Sequence, residues 1–134
     1  MMARDGEGVQ RIAEVIVKGA RSSEDALRIG RTIADSPLVK TALHGGDPNW
    51  GRILAPAGRA GVAFYIDKVD IHIGDVFVCE GGAARHYDEK VAHEAMLMDP
   101  GRITVDLHEG DASESMWMCD LTKSYVDINA HYRT

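Results

Sequence analysis

The chain has 134 residues, 45% of them hydrophobic and 27% charged, with a formal net charge of -6. That length fits one small domain with a real core, and the acidic balance argues against non-specific nucleic-acid binding, which needs clustered Lys and Arg. No apolar run approaches the roughly 20 residues that cross a bilayer, and Met1-Met2-Ala3-Arg4-Asp5 lacks the apolar stretch of a secretory signal.

The segment from Arg11 to Lys18 is short and β-branched, which predicts a strand closed by Gly19 with Ala13, Val15 and Val17 on one face. Ser22-Ser23-Glu24-Asp25 offers a capping box, in which a hydroxyl and a carboxylate satisfy orphan helix N–H groups. The helix behind it puts Ala26, Ile29 and Ile33 on one stripe, with Gly30 allowing a close neighbour, and should stop near Asp35. Ser36-Pro37 starts a second helix, serine as N-cap and proline at the first helical position. It carries Leu38, Val39, Ala42 and Leu43 and ends at Gly45-Gly46. Asp47-Pro48 repeats the start signal for a third helix, which Pro56 should end or kink early. The basic residues Lys18, Arg21, Arg28 and Arg31 read as a solvated face.

The second half reads mainly as sheet. Val69, Ile71 and Ile73 alternate with polar residues, and Gly74-Asp75 looks like a two-residue turn into Val76–Cys79. Tyr87-Asp88-Glu89 begins a helix with Val91, Ala92, Ala95 and Met96 inward. Ile103, Val105 and Leu107 alternate again, and the turn Glu109-Gly110-Asp111 leads to Ser115–Cys119 as the expected hairpin partner. A last short strand is expected at Tyr125–Ile128. Strand, helices, hairpin, helix, hairpin is an α+β order: a single small domain over residues 1–134, of mixed or antiparallel strands with helices packed on the sheet. Cys79 and Cys119 lie far apart without metal-type spacing, so two buried thiols in a reducing, cytoplasmic setting are expected.

Three runs invite a chemical reading, each beside a structural one. Gly6-Glu7-Gly8 frees the backbone for close ligand approach, with a carboxylate that suits an ammonium group, yet alone it reads as a turn. The run Gly46-Asp47-Pro48-Asn49-Trp50-Gly51-Arg52 has a sufficient structural explanation, in which Asp47 caps, Pro48 starts the helix, Trp50 packs and Arg52 meets a carboxylate. The terminus Ile128-Asn129-Ala130-His131-Tyr132-Arg133-Thr134 gathers an amide, a hydroxyl and an α-carboxylate, with Tyr125, Ile128 and Tyr132 to dock it. The six histidines form no HxxxH or HxH pattern, so no metal is expected. No GxSxG elbow is present. Physics alone stops at a soluble α+β domain.

Taken together, Asp5-Gly6-Glu7-Gly8, Gly19-Ala20, Ser36-Pro37-Leu38-Val39-Lys40-Thr41-Ala42, Gly46–Arg52, Cys119-Asp120-Leu121-Thr122, Tyr125-Val126 and Asn129 with Tyr132-Arg133-Thr134 resemble one family end to end. It is the β chain of the ornithine acetyltransferase (glutamate N-acetyltransferase) family of arginine biosynthesis. The resemblance implies a multifunctional acyltransferase whose precursor cuts itself into α and β chains, exposing a threonine nucleophile at the β N-terminus. That threonine takes acetyl from N-acetylornithine, releases ornithine and passes the acetyl to glutamate; some members also accept acetyl-CoA. A nearby amine would activate the hydroxyl, and an oxyanion hole in the α chain would hold the tetrahedral intermediate. The family's substrate-binding glutamate falls on Glu7, and its C-terminal asparagine and threonine on Asn129 and Thr134. No cofactor is implied; the expected partners are the α chain and the rest of the β chain, in a two-α, two-β assembly.

The departures are as informative. The nucleophilic threonine has no counterpart here, so no catalytic residue is assigned to this chain. A lysine expected shortly after the glutamate gives way to Val9-Gln10-Arg11, where Arg11 keeps only the charge, and Pro56 stands where alanine is usual. Met1–Arg4 reads as the end of a family helix, which predicts a C-terminal piece of a longer enzyme, inactive alone. The rival expectation is a free-standing binding or assembly domain that kept the fold and lost the chemistry.

Overall fold

The structure, a computed structural model, describes residues 11–120. The expected loop at Gly6–Gly8, the strand at Tyr125–Ile128 and the polar terminus, with Glu7, Asn129 and Thr134, lie outside the described residues.

Among the described residues six strands and four helices follow in order: β1 (Ile12–Ala20), α1 (Ser23–Ala34), α2 (Pro37–Gly45), α3 (Trp50–Gly58), β2 (Asp70–Ile73), β3 (Val76–Glu80), β4 (Ala83–Ala84), α4 (Glu89–Met96), β5 (Gly101–Asp106) and β6 (Ala112–Cys119). A short 3-10 turn, Ile66–Lys68, precedes β2. The strands form one mixed sheet in the order β4-β3-β2-β5-β1-β6. The α+β expectation holds.

Local rules account for the helix boundaries. Ser22 caps α1 by accepting from the Asp25 amide, and Ser36 caps α2 by accepting from Val39, with Pro37 in the first turn. Gly46 ends α2 at φ 67°, where an added Cβ would lie 2.6 Å from the His93 ring and 2.9 Å from Leu97. Only glycine takes that backbone without strain and leaves that space.

The alternating strands give the sheet two unlike faces. Ala13, Val15 and Val17 of β1 share one face with Ile103 and Val105 of β5 and with Ile71 and Ile73 of β2. These residues are fully buried or nearly so, in one cluster with Ile29 and Ile33 of α1, Leu43 of α2, Ile53 of α3 and Met96 of α4. Glu14, Ile16, Thr104, His72 and Phe77 point the other way and are half-buried, while Trp117 of β6 is 52% exposed. His72 stacks on Phe77 there, ring centroids 4.3 Å apart, and Arg85 lies over the same Phe77 ring.

Several expectations require correction. β6 is not the hairpin partner of β5: both flank β1, β5 parallel and β6 antiparallel to it. The link between them crosses the end of β1, where the Leu107 amide donates to the Lys18 carbonyl and the Glu109 amide to the Gly19 carbonyl. Gly19 does not close β1, which runs on through a bulge to Ala20; it takes φ 70° against the Asp106 side chain. α3 starts two residues later than Asp47-Pro48 suggests, because Asn49 supplies the capping oxygen, to the Arg52 amide. Pro56 sits buried inside α3 and the helix ends at Gly58, two residues on. Val91 faces solvent, 48% exposed, since α4 is short and buries only a narrow stripe. Cys79 is buried, but Cys119 is only half-buried.

Candidate functional site

The open end of the sheet, where β1 begins and β6 ends, holds the densest polar cluster tied to the sequence motifs. Arg11 and Asp120 are cross-strand neighbours: the Asp120 amide donates to the Arg11 carbonyl at 3.0 Å, and the Arg11 amide donates to Asp120 Oδ1 at 3.1 Å. The Asp120 side chain is 1% exposed. A buried carboxylate is costly unless its oxygens are matched by donors or cations. His44 Nδ1 supplies one at 3.0 Å from Oδ2, and the Arg11 guanidinium lies 3.9 Å from the same oxygen.

Arg11 binds in two directions. Its Nη2 donates to the carbonyl oxygens of Leu43 and His44, the latter at 3.1 Å. These belong to the last turn of α2, which carries the negative end of the helix dipole and where the Leu43 carbonyl also accepts from the Gly46 amide at 3.3 Å. A cation placed there is stabilising. The charge that replaces the expected lysine is therefore engaged by α2 and Asp120.

The glycine-rich run after α2 adjoins this cluster. The Gly46 carbonyl accepts from His93 Nδ1 at 2.7 Å, which fixes the His93 proton on that nitrogen and ties α4 to the end of α2. Arg52 reaches Asp47 at 3.9 Å, and both side chains are partly exposed, so this pair adds little. Trp50 is half-buried against the core. Burial, followed by the Glu89 and Asp47 carboxylates, pushes the Tyr87 phenol above its ordinary pKa. Trp50 and Arg52 take the structural roles expected for them, whereas Asn49 replaces Asp47 as the cap and Pro48 lies before α3 rather than at its first position.

A model of the ArgJ family matches residues 1–134. The chain belongs to the ArgJ family. It is 50% identical over 133 residues to the "Arginine biosynthesis bifunctional protein ArgJ" of Dehalococcoides mccartyi, covering 99% of this chain and 33% of that protein. The Streptococcus mutans protein of the same name is 45% identical, over 99% of this chain and 34% of its own length. The crystal structure of the Bacillus halodurans arginine biosynthesis bifunctional protein ArgJ superposes with a TM-score of 0.88 at 39% identity, over 98% of this chain and 62% of that one. The ornithine acetyltransferase resemblance is thus met by family, sequence and fold. The chain spans about a third of the length of the curated ArgJ relatives it matches.

Within this ArgJ-family chain, the three residues assigned to substrate lie outside the described residues, on both sides of the Arg11–Asp120 pair. Glu7 is four residues before Arg11, and Asn129 nine after Asp120. Sequence spacing does not single out the pair itself as a site. The available signal is Asp120 inside Cys119-Asp120-Leu121-Thr122, a charge at the end of a strand where a solvated residue would be the default.

The remaining polar and concave features sit elsewhere. His108 has φ 54° and reaches Asp70 at 2.7 Å and Asp106 at 3.6 Å, bridging two carboxylates that face each other across β2 and β5. A cleft of about 350 Å³ runs between α4 and the Gly74–Asp75 turn, lined by Val76, Val91, Ala95 and Met98 and rimmed by the Arg102–Asp75 ion pair. No residue from the family motifs lines it. Among the described residues no group of three or more His, Cys, Asp or Glu is placed to hold a metal, and no helix is long and apolar enough to cross a membrane.

Proposed function

We propose that this chain is the C-terminal part of an ornithine acetyltransferase β chain, acting in arginine biosynthesis in the cytoplasm. In the assembled enzyme a threonine outside this chain takes acetyl from N-acetylornithine as an acyl-enzyme and passes it to glutamate, or takes it from acetyl-CoA. Glu7, Asn129 and Thr134 hold the amino-acid substrates: a carboxylate for an ammonium group, an amide and a hydroxyl for a carboxylate. The α chain and the rest of the β chain complete the pocket, in a two-α, two-β assembly.

The observation that carries this reading is the junction of Arg11 with Asp120. The strand leading from Glu7 and the strand leading to Asn129 are hydrogen-bonded neighbours at one end of the sheet. Glu7 precedes that junction by four residues and Asn129 follows it by nine, so the chain brings both segments to neighbouring strands, as one shared pocket would require.

The purified chain alone is expected to give no N-acetylglutamate from N-acetylornithine and glutamate, followed by chromatography of the products. Co-expression with the threonine-bearing remainder and the α chain should restore turnover. Robust transfer by the chain alone would overturn the missing nucleophile. A correctly assembled, fully processed enzyme without transfer would overturn the reaction itself.

A further inference from the structure

We propose that the face of the sheet opposite the helices is the surface on which the rest of the ArgJ protein packs, with Trp117 as its anchor. The inference rests on the reading above that this chain is part of a longer enzyme, and it names where the two parts meet.

The pairing register lays that face out. Ser115, Ile16, Thr104, His72 and Phe77 stand side by side across five strands, and Trp117, Glu14 and Arg102 form the next row. None of these eight residues is buried, whereas the residues between them on the helix side are. All four helices send their buried residues to that other side, into the cluster of Val15, Val105 and Ile71. β1, in the middle of both rows, runs parallel to β5, and parallel strands are characteristically covered on both faces. Trp117, 52% exposed, with Ile16 and Phe77, gives the face the aromatic and aliphatic side chains that anchor interfaces.

The charges on this face are matched within it. Glu14 stands beside Arg102 in register, Lys18 lies 3.9 Å from Asp106, and Arg85, over the Phe77 ring, pairs with Glu80 at 2.8 Å. A partner need bring no countercharge, so the face suits a neutral, apolar layer. Relatives of this chain carry such material on the same polypeptide: more than a third of the Bacillus halodurans chain lies beyond the match. Polypeptide belonging to the same enzyme is held at high effective concentration and takes the face ahead of a second copy.

The test uses the full ArgJ enzyme carrying this sequence, with Trp117 replaced by the photo-cross-linker p-benzoylphenylalanine. After irradiation, mass spectrometry should find it joined to ArgJ peptides outside residues 1–134. Cross-links confined to residues 1–134, in the same copy or a second one, overturn the proposal, as does the absence of any cross-link. If the substituted enzyme does not assemble, the cross-linker is placed at exposed Ser115 in the adjacent row, with the same outcomes. In the unsubstituted enzyme, hydroxyl radicals should label Trp117 about tenfold more slowly than in urea, as in a water-excluding interface core. Labelling within about twofold, as its exposure in this chain alone would give, overturns the proposal. Neither readout needs acetyl transfer, so an enzyme that shows the expected cross-link and no transfer counts against the proposed function alone.

Discussion

Burial lifts the Cys79 thiol above its ordinary pKa; the Asp70 carboxylate adds to that effect and a hydrogen bond with the Gly82 backbone opposes it. Because the native value is raised, the folded chain holds the thiol proton more tightly than the unfolded one. The resulting stabilisation is complete below the unfolded thiol's value of about 8.5 and is lost as pH rises through the native value. The stability gap between wild type and Cys79→Ala should therefore narrow from pH 7 to pH 10 in urea melts; a constant gap would contradict it. In the folded chain a thiol reagent should label half-buried Cys119 first. Sequence spacing shows two thiols without a metal pattern, but exposure depends on which neighbours cover a strand end, and that is a tertiary property.

At the scale of elements, most starts and stops are legible because caps and periodicity are local. Ser22, Ser36 and Asp88 each stand one residue before a helix and accept its first amides. α4 has only eight residues, too short to hold itself, so its cap matters more than in a long helix. Asp88 Oδ1 accepts from Lys90 at 2.9 Å and Val91 at 3.2 Å. Asp88→Ala should cost about 0.5–2 kcal/mol in urea melts, and Asp88→Asn much less. Equal stability of Asp88→Ala and wild type would show that the cap contributes nothing. What fails at this scale is pairing. Alternation in β5 and β6 tells which side chains face the core, not which strand lies alongside; consecutive strands are neighbours often enough to make a hairpin the natural expectation. The start of α3 slips for a related reason, since Asp47 and Asn49 are both good caps and only the fold chooses between them. Of the candidate site, the Gly46 stop is legible from the sequence, whereas the Arg11–Asp120–His44 cluster joins residues up to 109 positions apart and leaves no local trace.

Over the whole molecule, β1 is the strand on which everything converges. It is paired on both sides, by β5 and β6, and α1 packs on its apolar face. A chain ending before Ala112 would expose one edge of β1 and remove Met118 from the core. Such a chain should lose its sharp, cooperative urea transition by circular dichroism, and an unchanged transition would show β6 to be dispensable.

The same topology sets a timetable for synthesis. β1 leaves the ribosome well before the strands that flank it: 80 residues separate Ala20 from Gly101. At about 5–20 residues per second, β1 waits roughly 4–16 s for its first neighbour. Through that interval both of its edges offer unpaired amides and carbonyls to any passing strand. α1 follows directly and can shield the apolar face, but a helix cannot satisfy strand edges. The nascent polypeptide is thus most vulnerable to aggregation before its final twenty or so described residues emerge, and a chaperone that grips short apolar strands would have its best opportunity then.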